Sequence, residues 1–488
     1  MSDKAGESSP WGIGLRLSRF ARQARRAGAS PRDVFFKPVD ELSTDRFPLL
    51  AVSVGIWLMR PDLQAVFNLE AAEDRARYLR WQVEYGVNEY AALREAFARE
   101  DVRGLFLNTP PAAPPEPAAS PPEPATPWTG GVNLVGHLHA RLGIGEDARC
   151  AAAALTAAAI PHVLIDQPAG ADIGTEPHAF SAPIVDSPVH GANLLFLSAW
   201  ETFRYFCVHG SSLWRGRKTI CVWPWELPQW PEPLEFCTLL ADEIWAISAF
   251  VRDAFALRAP VPVVHMPSAV VAEATPDRAT YGLPDGVFVF VCFFDGNSSF
   301  ARKNPAGAIA AFRAAFPAPD DSVRLVVKAM RAGASEEAWR ELQAGACDDP
   351  RIAFVDEEWS RDETLGLLAS CDGLISLHRA EGFGRPIAEA VLLRRLVVAT
   401  NWSGNTDFRE SGLQLLVEPE LRPAPAGAYA WGEGQFWAEP DLTAAASALR
   451  EAVRLGPAAA PPPGPTFDPR TVGARYRIRL EALGAIEP

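Results

Sequence analysis

Apolar residues near the start of the chain recur at helical spacing among charged ones. Residues 74–99 show this pattern most clearly and predict a small, mainly helical module over residues 1–108. The apolar run at 48–59 is shorter than the roughly 20 residues of a transmembrane helix, so it predicts a buried helix or strand. The apolar positions of the 74–99 pattern are Tyr78, Leu79, Trp81, Val83, Tyr85, Leu93 and Phe97.

A proline-rich segment follows this module. Residues 109–127 contain nine prolines and almost no residue suited to a core. Such a segment is a semi-rigid, extended linker, spanning about 60 Å at about 3.1 Å per residue. It separates the helical module from the rest of the chain.

After the linker, short apolar segments alternate with helical ones. Short buried strands separated by helices predict parallel sheets covered on both faces. The strands fall into two sets that meet near residues 268–285, with helices predicted at 304–316, 361–370 and 386–394. The first set comprises 131–136, 161–165, 192–198, 218–223, 242–247 and 261–265, and the second comprises 287–294, 323–328, 351–355, 372–377, 395–400 and 412–417.

The predicted fold class is therefore α/β, with two Rossmann-like domains that face each other. We place the first domain at 128–275 and the second at 276–488, and the last helix is a candidate to pack back on the first domain. Ligands of open α/β sheets bind at the carboxyl ends of the strands. The cleft between the two domains is the expected site.

Composition narrows the class of protein. Of its 488 residues, 48% are hydrophobic and 22% are charged, which is enough to build sizeable cores. The formal net charge of -14 argues against a nucleic-acid partner. The seven cysteines are scattered without metal or redox spacing, and no apolar leader follows the early arginines. We therefore expect a cytoplasmic protein.

The segment 378–390 (HRAEGFGRPIAEA) is the most informative one, because it directly follows a predicted strand. Its two glycines allow a sharp turn, and Pro386 suits the first position of a helix. A helix start offers free N–H groups to a diphosphate. Glu381 then lies in the loop before the helix, and Glu389 in its first turn. The alternative is that both are ordinary cap and first-turn acids.

This segment resembles the Glu-x7-Glu motif of family-four retaining glycosyltransferases. Residues 397–408 (VVATNWSGNTDF) are similar to a bacterial, polysaccharide-forming branch of that family, and the likeness extends over about 131–455. The resemblance implies a GT-B fold and a nucleotide-sugar donor. It also implies that Glu381 contacts the transferred sugar and Glu389 the ribose. The backbone of Gly382, Phe383 and Gly384 would hold the diphosphate.

A second segment, 295–305 (DGNSSFARKNP), follows a strand and precedes a helix. Without a metal, side chains must supply positive charge to a leaving diphosphate, and Arg302, Lys303 and Lys328 are the candidates. The family commonly has an arginine five residues before the lysine, where this chain has Ser298, so Arg302 is a hypothetical replacement. The chain contains no Asp-x-Asp sequence of the kind that holds a divalent metal ion against a diphosphate. The alternative is a solvated helix start.

Two segments of the first domain complete the expected cleft. Within 131–149, Gly143 and Gly145 resemble the family's first glycine-rich loop, which approaches the donor phosphate and the acceptor; the alternative is a plain turn. Within 221–231 (CVWPWELPQWP), Glu226 falls near a cleft histidine of related enzymes and is a candidate to contact the acceptor. The alternative there is a structural tryptophan–glutamate corner.

The predicted function is retaining transfer of a sugar from a nucleotide-sugar donor to a glycan or lipid-linked acceptor, in cell-surface polysaccharide synthesis. The donor is a substrate and no cofactor is expected. The candidate catalytic residues are Glu381, Lys303 and Glu226. A GT-B-shaped nucleotide-sugar epimerase and a non-catalytic sugar-binding partner remain alternatives. A dehydrogenase or an NTPase is disfavoured, because no strand precedes a Gly-x-Gly-x-x-Gly motif and no P-loop is present.

The basic segment 15–27 carries five arginines and no acid. Its apolar edge is narrow, so a small hydrophobic contribution is expected. One alternative is a solvated helix that lies on the acidic body of the protein. The other is peripheral docking on the anionic inner face of the membrane, where each arginine contributes about 1 kcal/mol.

Overall fold

The N-terminal region of the computed structural model is helical. Its helices are α1 (Pro10–Arg26), α2 (Ala51–Met59), α3 (Pro61–Val66), α4 (Ala72–Trp81), α5 (Val87–Glu89), α6 (Ala91–Ala98) and α7 (Glu100–Arg103). The 48–59 run forms the buried helix α2. The predicted linker at 109–127 lies outside the described residues. These are 9–43, 48–103, 105, 130–318, 322–412, 414–456 and 467–487.

Six parallel strands form the first sheet, in the order β2-β1-β3-β4-β5-β6. They are β1 (Val132–Gly136), β2 (His162–Asp166), β3 (Ala192–Phe196), β4 (Lys218–Cys221), β5 (Glu243–Ala246) and β6 (Val263–His265). Helices α8 (Gly143–Ala157), α9 (Ala199–His209) and α10 (Ala249–Ala256) accompany them, with a 3₁₀ segment at Glu232–Leu240. We call this part the first half.

A second sheet of six parallel strands has the order β12-β11-β10-β7-β8-β9. Its strands are β7 (Phe288–Asp295), β8 (Val323–Met330), β9 (Ile352–Asp356), β10 (Gly373–Ser376), β11 (Leu396–Thr400) and β12 (Gln414–Val417). Its helices are α11 (Phe300–Lys303), α12 (Pro305–Ala315), α13 (Glu336–Ala344), α14 (Arg361–Ser370), α15 (Arg385–Leu392) and α16 (Leu442–Leu455). We call this part the second half.

The final helix, α17 (Pro469–Ala482), returns to the first half and packs on α8. The contact is close, since a Cβ at Gly473 would lie 2.2 Å from the carbonyl oxygen of Ala154. Two parallel sheets, each covered by helices and joined by a returning last helix, form an α/β architecture of the GT-B kind. The predicted fold class and all twelve predicted strands are confirmed.

An antiparallel hairpin in the second half was not predicted. Strands β13 (Pro419–Pro423) and β14 (Phe436–Pro440) stand between β12 and α16. The loop at their tip, residues 424–435, reaches the first half, where the Gln435 side chain bonds the backbone N–H and C=O of Gln229. We call β13, β14 and this loop the hairpin.

The helical region packs closely on the first half, and the two share one hydrophobic core. The ring of Phe203 in α9 fills the space left by Gly55 in α2, where a Cβ would lie 2.2 Å from the ring. Helix α1 runs along the 3₁₀ segment, and a Cβ at Gly14 would lie 2.8 Å from the Cβ of Pro233. A side chain at either glycine would clash with the first half, so the close packing of the helical region depends on these two glycines.

Helix α1 carries the basic segment 15–27, and the structure corrects its expected apolar edge. The buried face includes Leu17 and Ala21 of the segment, and it extends to Ile13 because the helix begins at Pro10. Three arginines pair with carboxylates of the protein itself: Arg16 with Glu70, Arg19 with Glu41, and Arg22 with Glu232. These pairs favour the helix lying on the acidic body. No helix within the described ranges has the length and hydropathy needed to cross a membrane.

Candidate functional site

The loop between β10 and α15 lies at the carboxyl end of the second sheet, and glycine shapes it. Gly384 has φ +89° at the cap position of α15, a left-handed conformation that other residues rarely adopt. A Cβ at Gly382 would lie 2.6 Å from the carbonyl oxygen of Trp225 in the first half. The serine hydroxyl of Ser248, also from the first half, donates to the Gly382 carbonyl at 2.6 Å. The loop, which belongs to the second half, therefore also packs directly against the first half.

Glu381 lies in this loop and is 8% exposed. Its carboxylate forms an ion pair with Lys303, and Nη1 of Arg302 lies 3.4 Å from the same oxygen. Burial alone would raise the pKa of Glu381, but Lys303 and Arg302 outweigh it and bring the pKa to about 2. Glu381 is therefore ionised at neutral pH, with two cations beside it.

Asn304 explains how the two cations reach Glu381. It ends the short helix α11 with φ +53°, and its side chain caps α12 by accepting from Gly307 N–H at 3.1 Å. Its amide also donates to Leu377 O at 2.9 Å, which ties the helix junction to the end of β10. Arg302 is buried and donates to Ala380 O at 2.8 Å.

Lys328 has a different environment from the other two predicted cations. Its Nζ donates to Ala329 O at 2.7 Å and to Glu357 O at 2.5 Å, and it lies 4.7 Å from the centre of the Trp359 ring. Burial lowers its pKa to about 8. Of the three cations, Arg302 and Lys303 meet at Glu381, while Lys328 binds the segment after β9.

Glu389 lies in the second turn of α15, not in the first as expected, because the helix begins at Arg385 and Glu389 is its fifth residue. Its side chain is buried at 3% exposure. Arg361, at the start of α14, donates to its carboxylate at 2.7 Å. The arginine partner was not foreseen from the sequence.

The glycine-rich loop of the first half begins α8. Gly145 is needed for packing, since a Cβ there would lie 2.6 Å from His137 O, whereas Gly143 has open space around it. The next two residues are acids that face the second half. Glu146 lies 3.3 Å from Arg361, and Asp147 pairs with Arg385.

These charges form a network across the cleft beside Glu389. Burial would raise the pKa of Glu146, but Arg361 and its neighbouring arginines bring it to about 2. Sequence reasoning missed Glu146, Asp147, Arg361 and Arg385. The available signal was two consecutive acids after a glycine loop, but their partners lie more than 200 residues away along the chain.

Glu226 lies against the same glycine turn, as a Cβ at Gly382 would be 3.7 Å from its Cγ. The hydroxyl of Tyr429, in the hairpin loop, donates to its carboxylate. The neighbouring Trp225 has a structural role, since its indole donates to Gln229 O at 2.9 Å. The sequence identified Glu226 but not Tyr429.

One cavity borders the glycine turn and another lies within the first half. The one at Glu381 and Lys303 is small, with a volume of about 10 Å³. A larger one, of about 320 Å³, lies in the first half by the ends of β1 and β2. There His137 and Glu201 are joined at 3.0 Å; burial lowers the pKa of His137, but Glu201 outweighs this and raises it. The sequence did not predict this cavity.

Several cationic side chains lie near the glycine turn. Among the described residues, no group of three or more histidine, cysteine, aspartate or glutamate side chains is placed to hold a metal ion. Arg302 and Lys303 contact Glu381, just before the glycine turn, and Arg385 directly follows the turn.

No family model matches the chain, and no curated protein matches it. Among solved structures it is similar to Anabaena HepE in complex with UDP and glucose, at 14% identity and a TM-score of 0.46, over 72% of this chain and 100% of that one. Sucrose-phosphate synthase from Thermosynechococcus elongatus matches at 15% identity and a TM-score of 0.48, over 72% and 94%. WaaG, a glycosyltransferase involved in lipopolysaccharide biosynthesis, matches at 12% and 0.43, over 72% and 95%. Likeness at this level carries no argument about activity.

Proposed function

We propose that this chain is a glycosyltransferase that takes its sugar from a nucleotide-sugar donor bound between the two halves. One observation carries the proposal: a buried, ionised Glu381 in a glycine turn at the start of α15, with Lys303 and Arg302 beside it. A carboxylate beside cations at a helix start matches the two charges that separate when a glycosyl–diphosphate bond breaks.

The chemistry follows from this arrangement. The transition state of glycosyl transfer has oxocarbenium character, and the departing diphosphate gains negative charge. Lys303, Arg302 and the first N–H groups of α15 are preorganised to stabilise that charge. Glu381 stays ionised and lies where positive charge develops on the sugar. The donor phosphates would share Lys303 with Glu381.

The finer assignment rests on the Glu-x7-Glu motif. We propose retaining, hexosyl-type transfer in polysaccharide synthesis, with Glu389 next to the ribose and the turn 382–384 next to the diphosphate. Gly143 and Gly145 would approach the donor from the first half. Glu226 would contact a glycan or lipid-linked acceptor. We propose a cytoplasmic site of action, where nucleotide sugars are the donors.

A thermal-shift screen with UDP, GDP, dTDP and ADP tests donor binding. A ligand at 100 times its dissociation constant stabilises the folded state by about 2.7 kcal/mol, so at least one nucleotide should raise the melting temperature. Lys303→Ala should reduce this shift, whereas Lys218→Ala, at an exposed site on the first sheet, should not. No shift with any nucleotide at millimolar concentration would contradict the proposal.

Incubation with a nucleotide sugar separates transfer from the other two functions. A glycosyltransferase releases nucleoside diphosphate, slowly to water and faster with an acceptor. A new nucleotide sugar formed from the donor alone would show an epimerase instead. Binding without release or conversion would show a sugar-binding partner.

A further inference from the structure

The hairpin bridges the two halves next to the proposed site. On its own half, Ser299 donates to Ala428 O at 2.6 Å, just before α11. Across the cleft, the Gln435 amide accepts from Gln229 N–H at 3.0 Å and donates to Gln229 O at 2.7 Å. The 424–435 loop is thus held by directed hydrogen bonds at Ala428 and at Gln435, and Tyr429 lies between these two residues.

The ring and the hydroxyl of Tyr429 make two separate contacts with the first half. The ring packs edge-on against Trp225, with centroids 5.3 Å apart and planes at 85°. The hydroxyl donates to one carboxylate oxygen of Glu226. A phenylalanine could make the ring contact, so the hydroxyl serves the carboxylate.

The Glu226 carboxylate has no other hydrogen bond among the described residues. Tyr429 therefore sets its rotation, and the second oxygen, Oε1, stays available. The nearby cation is Arg302. Burial lowers the pKa of Arg302, but the negative charges of Glu381 and, to a smaller extent, Glu226 outweigh burial and raise it. Glu226 thus lies within the electrostatic reach of the Glu381 cluster, on the side of the first half.

We infer that Tyr429 is a positioning residue, which holds Glu226 so that its free oxygen accepts a hydrogen bond from the acceptor hydroxyl at the glycine turn. The inference rests on the proposed function. Glu226 and Tyr429 come from different halves, so this arrangement forms only when the halves are together. The hydrogen bond is charge-assisted, which makes it a strong directional contact.

A double-mutant cycle tests the inference with Tyr429→Phe, Glu226→Gln and both together. The readout is nucleoside diphosphate released from the nucleotide sugar whose nucleotide the thermal-shift screen identifies. We expect Tyr429→Phe to lower kcat about tenfold and to leave the donor KM within about twofold. On the Glu226→Gln background, the same change should lower kcat by less than twofold, because residues that act through one contact are not additive.

Tyr281→Phe is the matched control. Tyr281 is also half-buried in the second half, and its hydroxyl donates to Glu363 O at 2.9 Å, away from Glu381. It should leave kcat unchanged. If Tyr429→Phe lowers kcat by the same factor with and without Glu226→Gln, or does not lower it, the inference is overturned while the proposed function stands.

Failure of the proposed function can be distinguished from failure of the positioning role alone. If the unsubstituted chain releases no diphosphate from any donor, the proposed function fails and the positioning role fails with it. The same cycle measured on the thermal unfolding midpoint then reports on the contact itself. If the midpoint changes of the two substitutions are not additive, the Tyr429–Glu226 hydrogen bond stabilises the fold as a link between the halves. If they are additive, the hydrogen bond has no such structural role either.

Discussion

At the scale of single residues, the site depends on charges that burial disfavours and neighbours restore. Glu381 is ionised only because Lys303 and Arg302 outweigh its burial. The same holds for Glu146, where Arg361 contributes most to offsetting the effect of burial on its pKa. Such groups are sensitive to substitution of a partner, because a buried charge left alone is costly.

Acid should therefore destabilise the chain through these groups. A carboxyl whose folded pKa is below its unfolded one stabilises the fold above the unfolded pKa, and this is lost as pH falls through the folded pKa. For Glu381 the window runs from 4.5 down to about 2. Urea unfolding should show Glu381→Gln less stable by on the order of 3 kcal/mol at pH 7, with the difference fading towards pH 2.

The exposed Glu420→Gln, which loses only a surface pair with Arg422, is the control for this titration. Its difference from the unsubstituted chain should be small at every pH. A Glu381→Gln difference that stays constant from pH 7 to pH 2 would contradict the assignment of a depressed pKa.

Glu389→Ala should weaken nucleoside-diphosphate binding. A lost charge-assisted contact to the ribose costs about 1.5–3 kcal/mol, which corresponds to roughly 10- to 150-fold in affinity. Calorimetry checks this. Asp349→Ala is the matched control, because it also removes a carboxylate from an arginine pair, with Arg351, just before β9 and at the opposite end of that strand from the site. Equal affinities for Glu389→Ala and the unsubstituted chain would refute the ribose assignment.

The sequence predicted which residues stand at the glycine turn, but not all of their partners. Lys303 precedes a helix cap and Glu381 precedes a glycine, and both features are local. The pairing of Glu389 with Arg361, and of Lys328 with the Glu357 carbonyl, depends on where separate loops meet. Such long-range contacts leave no periodic pattern in the sequence.

At the scale of elements, apolar patterning predicted the two sheets because each strand is a short buried run. Strand β1, for example, is buried at all five positions. The hairpin escaped prediction for the opposite reason. Strand β13 begins and ends with proline and is mostly exposed, so it has no apolar run to detect. Its role became visible only through Tyr429 and Gln435.

Gly382→Ala should hold the halves apart. The added Cβ would meet the Trp225 carbonyl oxygen at 2.6 Å, and backbone of the first half cannot yield as a flexible side chain can. We expect a larger radius of gyration by small-angle scattering and at least tenfold lower donor turnover.

Gly333→Ala, in the same half and with no atom within 4 Å of the added Cβ, is the control and should change none of these. An unchanged radius of gyration together with normal turnover for Gly382→Ala would show that the halves do not meet at this turn.

Helix α1 should remain on the protein and not bind membranes. Arg16, Arg19 and Arg22 are engaged by carboxylates, and Trp11 stacks at 5.9 Å on Trp431 of the hairpin. Co-sedimentation with phosphatidylglycerol vesicles at low salt should leave the protein in the supernatant. Salt-sensitive pelleting that Arg-to-Gln changes at these positions abolish would instead support the membrane alternative.

At the scale of the whole molecule, the two halves are joined on several sides of the cleft. The acids of α8 meet Arg361 and Arg385, the hairpin meets the first half at Gln229, and α17 packs on α8. In this arrangement Glu226 lies at the glycine turn, where a Cβ at Gly382 would be 3.7 Å from its Cγ.

Nucleoside-diphosphate release from UDP-, GDP-, dTDP- and ADP-sugars in excess EDTA tests whether the chain transfers sugar from a nucleotide-sugar donor without a metal. If Lys303, Arg302 and the start of α15 supply the positive charge, as proposed, at least one donor should be turned over without metal. Lys303→Ala should slow it by about 100-fold, as removal of one preorganised donor does elsewhere. The proposed function is wrong if no donor releases nucleoside diphosphate. The proposed role of the side-chain cations is wrong if release requires added magnesium or manganese, or if Lys303→Ala releases it as fast as the unsubstituted chain.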